Sequence, residues 1–228
     1  MPASNSLQKN IDQVLNKTLV VNEIFYSLQG ESSTTGIPTV FIRLTGCPLR
    51  CSYCDTAYAF HAGEKMSIKS ILSGISRYRC RYVTVTGGEP LAQKDCNGLL
   101  ELLCDEGYHV SLETGGAMPI QDIDDRVTKI LDIKTPGSGE NDRNRMENIA
   151  CLSGKDQVKF VICDEADYIW SRNTVRDLQL IERCEILFSP SHGQLLPDLL
   201  ADWILRDQFP VRMQIQLHKY LWGDVPGR

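Results

Sequence analysis

The chain has 228 residues, 42% of them hydrophobic, with 24 Lys and Arg against 29 Asp and Glu, a formal net charge of -5. That is enough apolar material for one core, so a single domain is expected over residues 18–228, with residues 1–17 a flexible arm. The acidic balance argues against coating nucleic acid, no run of about 18 apolar residues marks a membrane span, and the opening residues lack a signal core, so a cytoplasmic protein is expected.

In chain order, P-T-V-F-I-R-L (38–44) reads as a strand, and Ser67 stands as a cap before the helical period Ile68, Ile71, Leu72, Ile75. Y-V-T-V-T (82–86) is the next strand, followed by a helix through Leu99, Leu100, Leu102 and Leu103 that ends before Gly107. Strands follow at H-V-S-L-E (109–113), K-I-L-D-I-K (129–134), V-K-F-V-I (158–162), E-I-L-F-S (185–189) and M-Q-I-Q-L (213–217), with helices within 164–183 and 197–208 between them. Such alternation implies an α/β fold with a mostly parallel sheet, here an incomplete (β/α) barrel of six or seven units rather than eight.

Nine cysteines in an intracellular chain do not suggest a disulfide framework. Cys80, Cys96, Cys104, Cys151, Cys163 and Cys184 are scattered singly and are read as packing residues. Cys47, Cys51 and Cys54 differ, because they sit together in the turn-rich T-G-C-P-L-R-C-S-Y-C-D-T (45–56). Two chemistries suit them: a closed structural zinc site completed by His61, or an iron-sulfur cluster whose last iron the protein leaves free. Spacing alone leaves both open.

The cysteines follow one strand, T-G-G-E-P (86–90) follows the next and E-T-G-G (113–116) the third, so all three lie at one rim, where parallel α/β proteins place their active sites. Gly87 and Gly88 let a polar ligand approach bare backbone, and Glu89 could hold an ammonium group; a sharp turn would equally explain the glycines.

C-P-L-R-C-S-Y-C together with G-G-E-P resembles the radical S-adenosylmethionine (SAM) superfamily. That resemblance implies a 4Fe-4S cluster on Cys47, Cys51 and Cys54, SAM chelated at the open iron, and a 5'-deoxyadenosyl radical made by one-electron cleavage. The flanking S-L-Q-G-E (27–31), F-I-R-L-T-G-C (41–47), C-D-T (54–56), L-E-T-G-G (112–116), D-I-K-T-P-G-S-G-E (132–140) and Q-L-H-K-Y (216–220) resemble the 7-carboxy-7-deazaguanine synthase family. Its members are lyases that convert 6-carboxy-5,6,7,8-tetrahydropterin to 7-carboxy-7-deazaguanine with loss of ammonia, on the way to queuosine and related deazapurines. The resemblance implies hydrogen abstraction at C6 of the pterin and reuse of SAM.

The same resemblance carries roles onto matching positions. SAM would meet Tyr53, Cys54, Asp55, Gly88, Glu89, Glu113, Asp132, Ile133 and Lys134; the pterin would meet Leu28, Gln29, Gly30, Arg43, Thr86 and His218; Thr56 would ligate Mg2+. Arg43 suits a carboxylate, and amides suit the donor and acceptor pattern of a pterin edge. Asp-Ile-Lys at 132–134 departs from a Ser-Pro-Lys triplet found in some members, and G-D-V-P-G-R extends beyond Trp222. A reductase such as flavodoxin as electron donor and a homodimer are implied as well. Competing readings are an activating enzyme that makes a glycyl radical on a partner protein, which needs a peptide groove, and a zinc-stabilised binding module.

Overall fold

Along the central strands the side chains alternate, and in the computed structural model, which describes residues 11–227, the two faces of the sheet take opposite chemistries. The strands are β1 (Thr18–Leu28), β2 (Pro38–Leu44), β3 (Glu64–Ser67), β4 (Tyr82–Gly87), β5 (His109–Thr114), β6 (Thr128–Asp132), β7 (Gln157–Ile162), β8 (Glu185–Pro190) and β9 (Arg212–Met213). Their order is β3-β1-β2-β4-β5-β6-β7-β8-β9. From β2 to β9 every pairing is parallel, while β1 runs antiparallel to both β2 and β3. The sheet therefore stays open, as an incomplete barrel.

One face carries Ile42, Leu44, Val83, Val85, Leu112, Val158, Phe160 and Phe188, all buried in a single apolar cluster. Helices α2 (Ile68–Ser76), α3 (Cys96–Asp105), α4 (Glu165–Asp177) and α5 (Pro197–Arg206) cover it with Ile71, Ile75, Leu99, Leu103, Tyr168, Val175 and Leu200. Burying each such side chain contributes about 1.5–3 kcal/mol, so this layer holds the fold together. Ser67 caps α2 by accepting from Ser70 N at 3.1 Å, and Asp164 caps α4 by accepting from Asp167 N at 2.8 Å. The opposite face holds the residues between: Arg43 beside Thr86, Thr84 beside Ser111, and Asp132 beside Lys159.

Several expectations are corrected. Residues 1–10 of the expected arm lie outside the described residues, but 11–15 are helical, labelled α1, with Ile11, Val14 and Leu15 packed on the core, so this part is docked. β1 and β3 were not expected, because β1 is a long strand of half-buried residues that mixes polar and apolar side chains without clean alternation. M-Q-I-Q-L does not form a strand over 213–217. Only Arg212–Met213 pairs with β8, after which Leu217 N bonds to Gly30 O and helix α6 (Leu217–Trp222) begins. All nine cysteines are free; Cys96 and Cys184 are buried and the others half-buried. Among the described residues no helix is long and apolar enough to cross a membrane.

Candidate functional site

The cysteine loop is pressed against the end of β4 by two glycines. Gly87 has φ of 146°, and a Cβ there would fall 2.1 Å from Leu44 O; at Gly88 it would meet Gly46 O at 2.3 Å and the Cys47 Cβ at 2.7 Å. Any larger residue would push the loop away. Glu89 N then donates to Gly46 O at 2.8 Å, locking the two loops together. Cys47, Cys51 and Cys54 all line one pocket of about 340 Å³ at the strand ends.

Burial pushes the Cys51 thiol up to about 11 and raises Cys47 as well, against the pull of Lys134. Iron binding would displace those protons. Among the described residues no three His, Cys, Asp or Glu gather closely enough to hold one metal ion, and His61 is exposed and does not line the pocket. Three soft donors spaced around a shared cavity fit a multi-iron cluster with an open side better than a closed zinc tetrahedron.

Behind the cysteines the polar face of the sheet supplies a chain of charges. Lys159 Nζ lies 2.7 Å from Glu31 Oε2 and 3.3 Å from Asp132 Oδ2, while Lys134 Nζ holds Asp132 Oδ1 at 3.1 Å. Burial alone would raise Glu31 and Asp132, but Lys159 with His218 at Glu31, and Lys134 with Lys159 at Asp132, outweigh it and hold both carboxyls below their ordinary values. Glu113 accepts from Thr86 Oγ1 at 2.9 Å and from Gln29 Nε2 at 3.2 Å; burial raises it, and Lys159 offsets only part of that. Lys134 also sits 5.7 Å from the centre of the Tyr53 ring, whose buried hydroxyl has no hydrogen-bond partner. An orphaned hydroxyl at a pocket wall suits a polar ligand.

The open seam between the first and last strands is closed by the chain end. His218 packs on Gly30 so tightly that a Cβ there would lie 2.2 Å from the imidazole Nδ1. Gln216 Nε2 donates to Glu31 Oε1 at 3.1 Å and reaches Asp55 Oδ2 at 3.4 Å; Lys219 Nζ stands 3.6 Å and His218 Nε2 3.9 Å from the same Asp55 oxygen. Burial acts to raise Asp55, but His218 and Lys219 hold it well below the usual carboxylate range. Arg43 lines the same pocket, its Nε donating to Glu23 Oε1 at 2.7 Å and its guanidinium lying 5.5 Å from the Phe25 ring centre.

Leu28, Gln29, Gly30, Arg43, Tyr53, Cys54, Asp55, Thr56, Thr86, Gly88, Glu113, Asp132, Lys134 and His218 all line this pocket. Two expected contacts do not. Glu89 is fully buried behind it, its carboxylate occupied by Thr114 Oγ1, Gly115 N at 2.8 Å and Leu91 N at 3.1 Å, and the Ile133 side chain belongs to the apolar core. Lys159, Glu31, Gln216 and Lys219 were not assigned roles from the sequence, yet they line the pocket. The available signal was Lys159 itself, a charge inside an otherwise apolar parallel strand.

Residues 41–134 match the Radical SAM superfamily. The chain is 46% identical over 213 residues to 7-carboxy-7-deazaguanine synthase of Chlorobaculum tepidum, spanning 92% of this chain and 97% of that protein. It is 42% identical over 217 residues to the protein of the same name from Koribacter versatilis, spanning 89% and 96%. The crystal structure of QueE from Escherichia coli has the same fold, with a TM-score of 0.73 at 23% identity over 88% of this chain and 95% of that one.

Proposed function

The chain belongs to the 7-carboxy-7-deazaguanine synthase family of radical SAM enzymes, and we propose that it makes 7-carboxy-7-deazaguanine from 6-carboxy-5,6,7,8-tetrahydropterin by dividing one pocket between cofactor and substrate. The observation that carries this division is the opening of three half-buried cysteine thiols and an Arg43, Gln29 and His218 wall onto the same 340 Å³ cavity. When bound, the 4Fe-4S cluster and SAM supply one electron and a 5'-deoxyadenosyl radical.

The protein's own residues hold and orient. Cys47, Cys51 and Cys54 ligate the cluster, while Asp132, Lys134, Glu113, Tyr53 and Gly88 flank SAM. Arg43 receives the pterin carboxylate, and Gln29, Thr86 and His218 meet its polar edge. Phe25, Phe41 and Phe60 wall the cavity, keeping water and stray hydrogen donors from a radical. Thr56 contributes a single hydroxyl, so a magnesium ion would fit there only with oxygen ligands from substrate and water. A reductase such as flavodoxin as donor, a homodimer and a cytoplasmic location complete the proposal.

Anaerobic incubation of the reduced, cluster-loaded enzyme with SAM and the tetrahydropterin, read by product mass, tests the whole reading. The expected product has lost ammonia and retains the carboxylate. An unchanged pterin mass despite full iron and sulfide content rules the reading out, and a glycyl radical formed on a protein substrate instead would establish the activating-enzyme alternative.

A further inference from the structure

Outside the pocket, one buried carboxylate is joined to the cysteine loop through a continuous set of hydrogen bonds. Asp167, in the first turn of α4, is 1% exposed. Its Oδ1 accepts from Gly137 N at 2.8 Å; its Oδ2 accepts from Thr135 Oγ1 at 2.8 Å and Cys163 N at 3.1 Å. A Cβ on Gly137 would lie 2.4 Å from Asp167 Oδ2, so the turn over 135–138 is seated directly on the carboxylate.

The far side of that turn carries the cysteine loop. Ser52, between Cys51 and Tyr53, donates its Oγ to Gly137 O at 2.7 Å and its N–H to Ser138 O at 2.9 Å; Arg50 N donates to Glu140 Oε1 at 2.5 Å. The same turn directly continues the Asp132 to Lys134 segment that lines the pocket. The cysteine loop therefore hangs from the strand end proposed to hold SAM, and both depend on a carboxylate in α4, 30 residues beyond Gly137.

We infer that Asp167 is a positioning residue for the iron-sulfur loop: it fixes the 135–138 turn, and through Ser52 fixes Cys51 and Cys54 relative to the Asp132–Lys134 segment. The inference rests on the reading that this loop carries the cluster. Both oxygens of Asp167 act only as acceptors, so Asp167→Asn keeps the shape but turns an amide N–H towards a donor.

The test is amide hydrogen exchange on the anaerobically prepared full-length holoenzyme, wild type against Asp167→Asn, with Thr135→Val as a milder variant should the first fail to fold. Exchange in peptides spanning 47–56 and 135–140 should quicken about tenfold or more, the effect of losing a charge-assisted hydrogen bond, while peptides from β2, β4 and α5 stay at wild-type rates. The electron paramagnetic resonance spectrum of the reduced cluster should also respond differently to added SAM. Unchanged exchange at 47–56 with faster exchange at 135–140 would mean that Asp167 holds only its own turn, and uniform acceleration across the sheet would mean a general stabilising role. Either result overturns the inference. Because exchange needs no pterin turnover, its outcome is independent of whether the product assay succeeds.

Discussion

Replacing Lys159 by Met removes a buried cation from between Glu31 and Asp132 while keeping the length of the side chain. Lys159 touches both carboxylates, at 2.7 and 3.3 Å, with its side chain only 12% exposed. Deleting one partner of a buried ion pair leaves uncompensated charge and costs about 3–5 kcal/mol. For a chain of this size each kcal/mol lowers Tm by about 2–4 °C, so a fall of about 6–20 °C is expected. Burial acts to raise Glu31 and Asp132, but Lys159, with His218 at Glu31 and Lys134 at Asp132, holds them below their ordinary values, so their contribution is present above those ordinary values, 4.5 and 3.8, and is lost as pH falls through the depressed folded-state values. In Lys159→Met the burial of Glu31 is opposed mainly by His218, and the carboxyl takes up a proton at higher pH than in the wild type. The stability gap should be widest near about pH 7 and narrow towards about pH 5. Thermal melts followed by circular dichroism across that range measure it. Equal melting temperatures at neutral pH, or a gap that widens on acidification, would refute the electrostatic reasoning.

Cys51→Ser should purify without the brown colour of a cluster and with iron and sulfide content far below that of the wild type, measured by metal and sulfide analysis. Gly30→Ala places a Cβ 2.2 Å from the His218 imidazole, so the seam must open; KM for the pterin should rise while SAM binding, measured by equilibrium titration, changes little. Arg43→Met should raise KM for the pterin roughly tenfold to a hundredfold, the cost of one charge-assisted contact, with a smaller effect on kcat. Leu99→Ala, fully buried under the sheet, should lose about 2–5 kcal/mol in denaturant unfolding but leave KM for both ligands near wild type.

The cysteine spacing, the glycine pair at the end of β4 and the order of strands and helices from β4 to α5 were legible in the sequence because each is local. A loop that must bring thiols to one cavity carries them within a few residues, and a parallel strand announces itself by its apolar, β-branched run. Even where the reading failed, as at β1 and at 213–217, the cause was a segment whose burial is decided by distant partners: β1 lies between β2 and β3, and the chain after Met213 turns towards Gly30 and Glu31. Only the tertiary structure decided which charges meet. Glu31 and Lys159 are 128 residues apart, and Asp167 acts on a turn 30 residues before it, yet each pairing follows from strand register and helix placement. Local sequence specifies backbone shape and which face is apolar; the long-range electrostatics of the pocket arise only once the sheet has curved its polar face inward and brought those strand ends together.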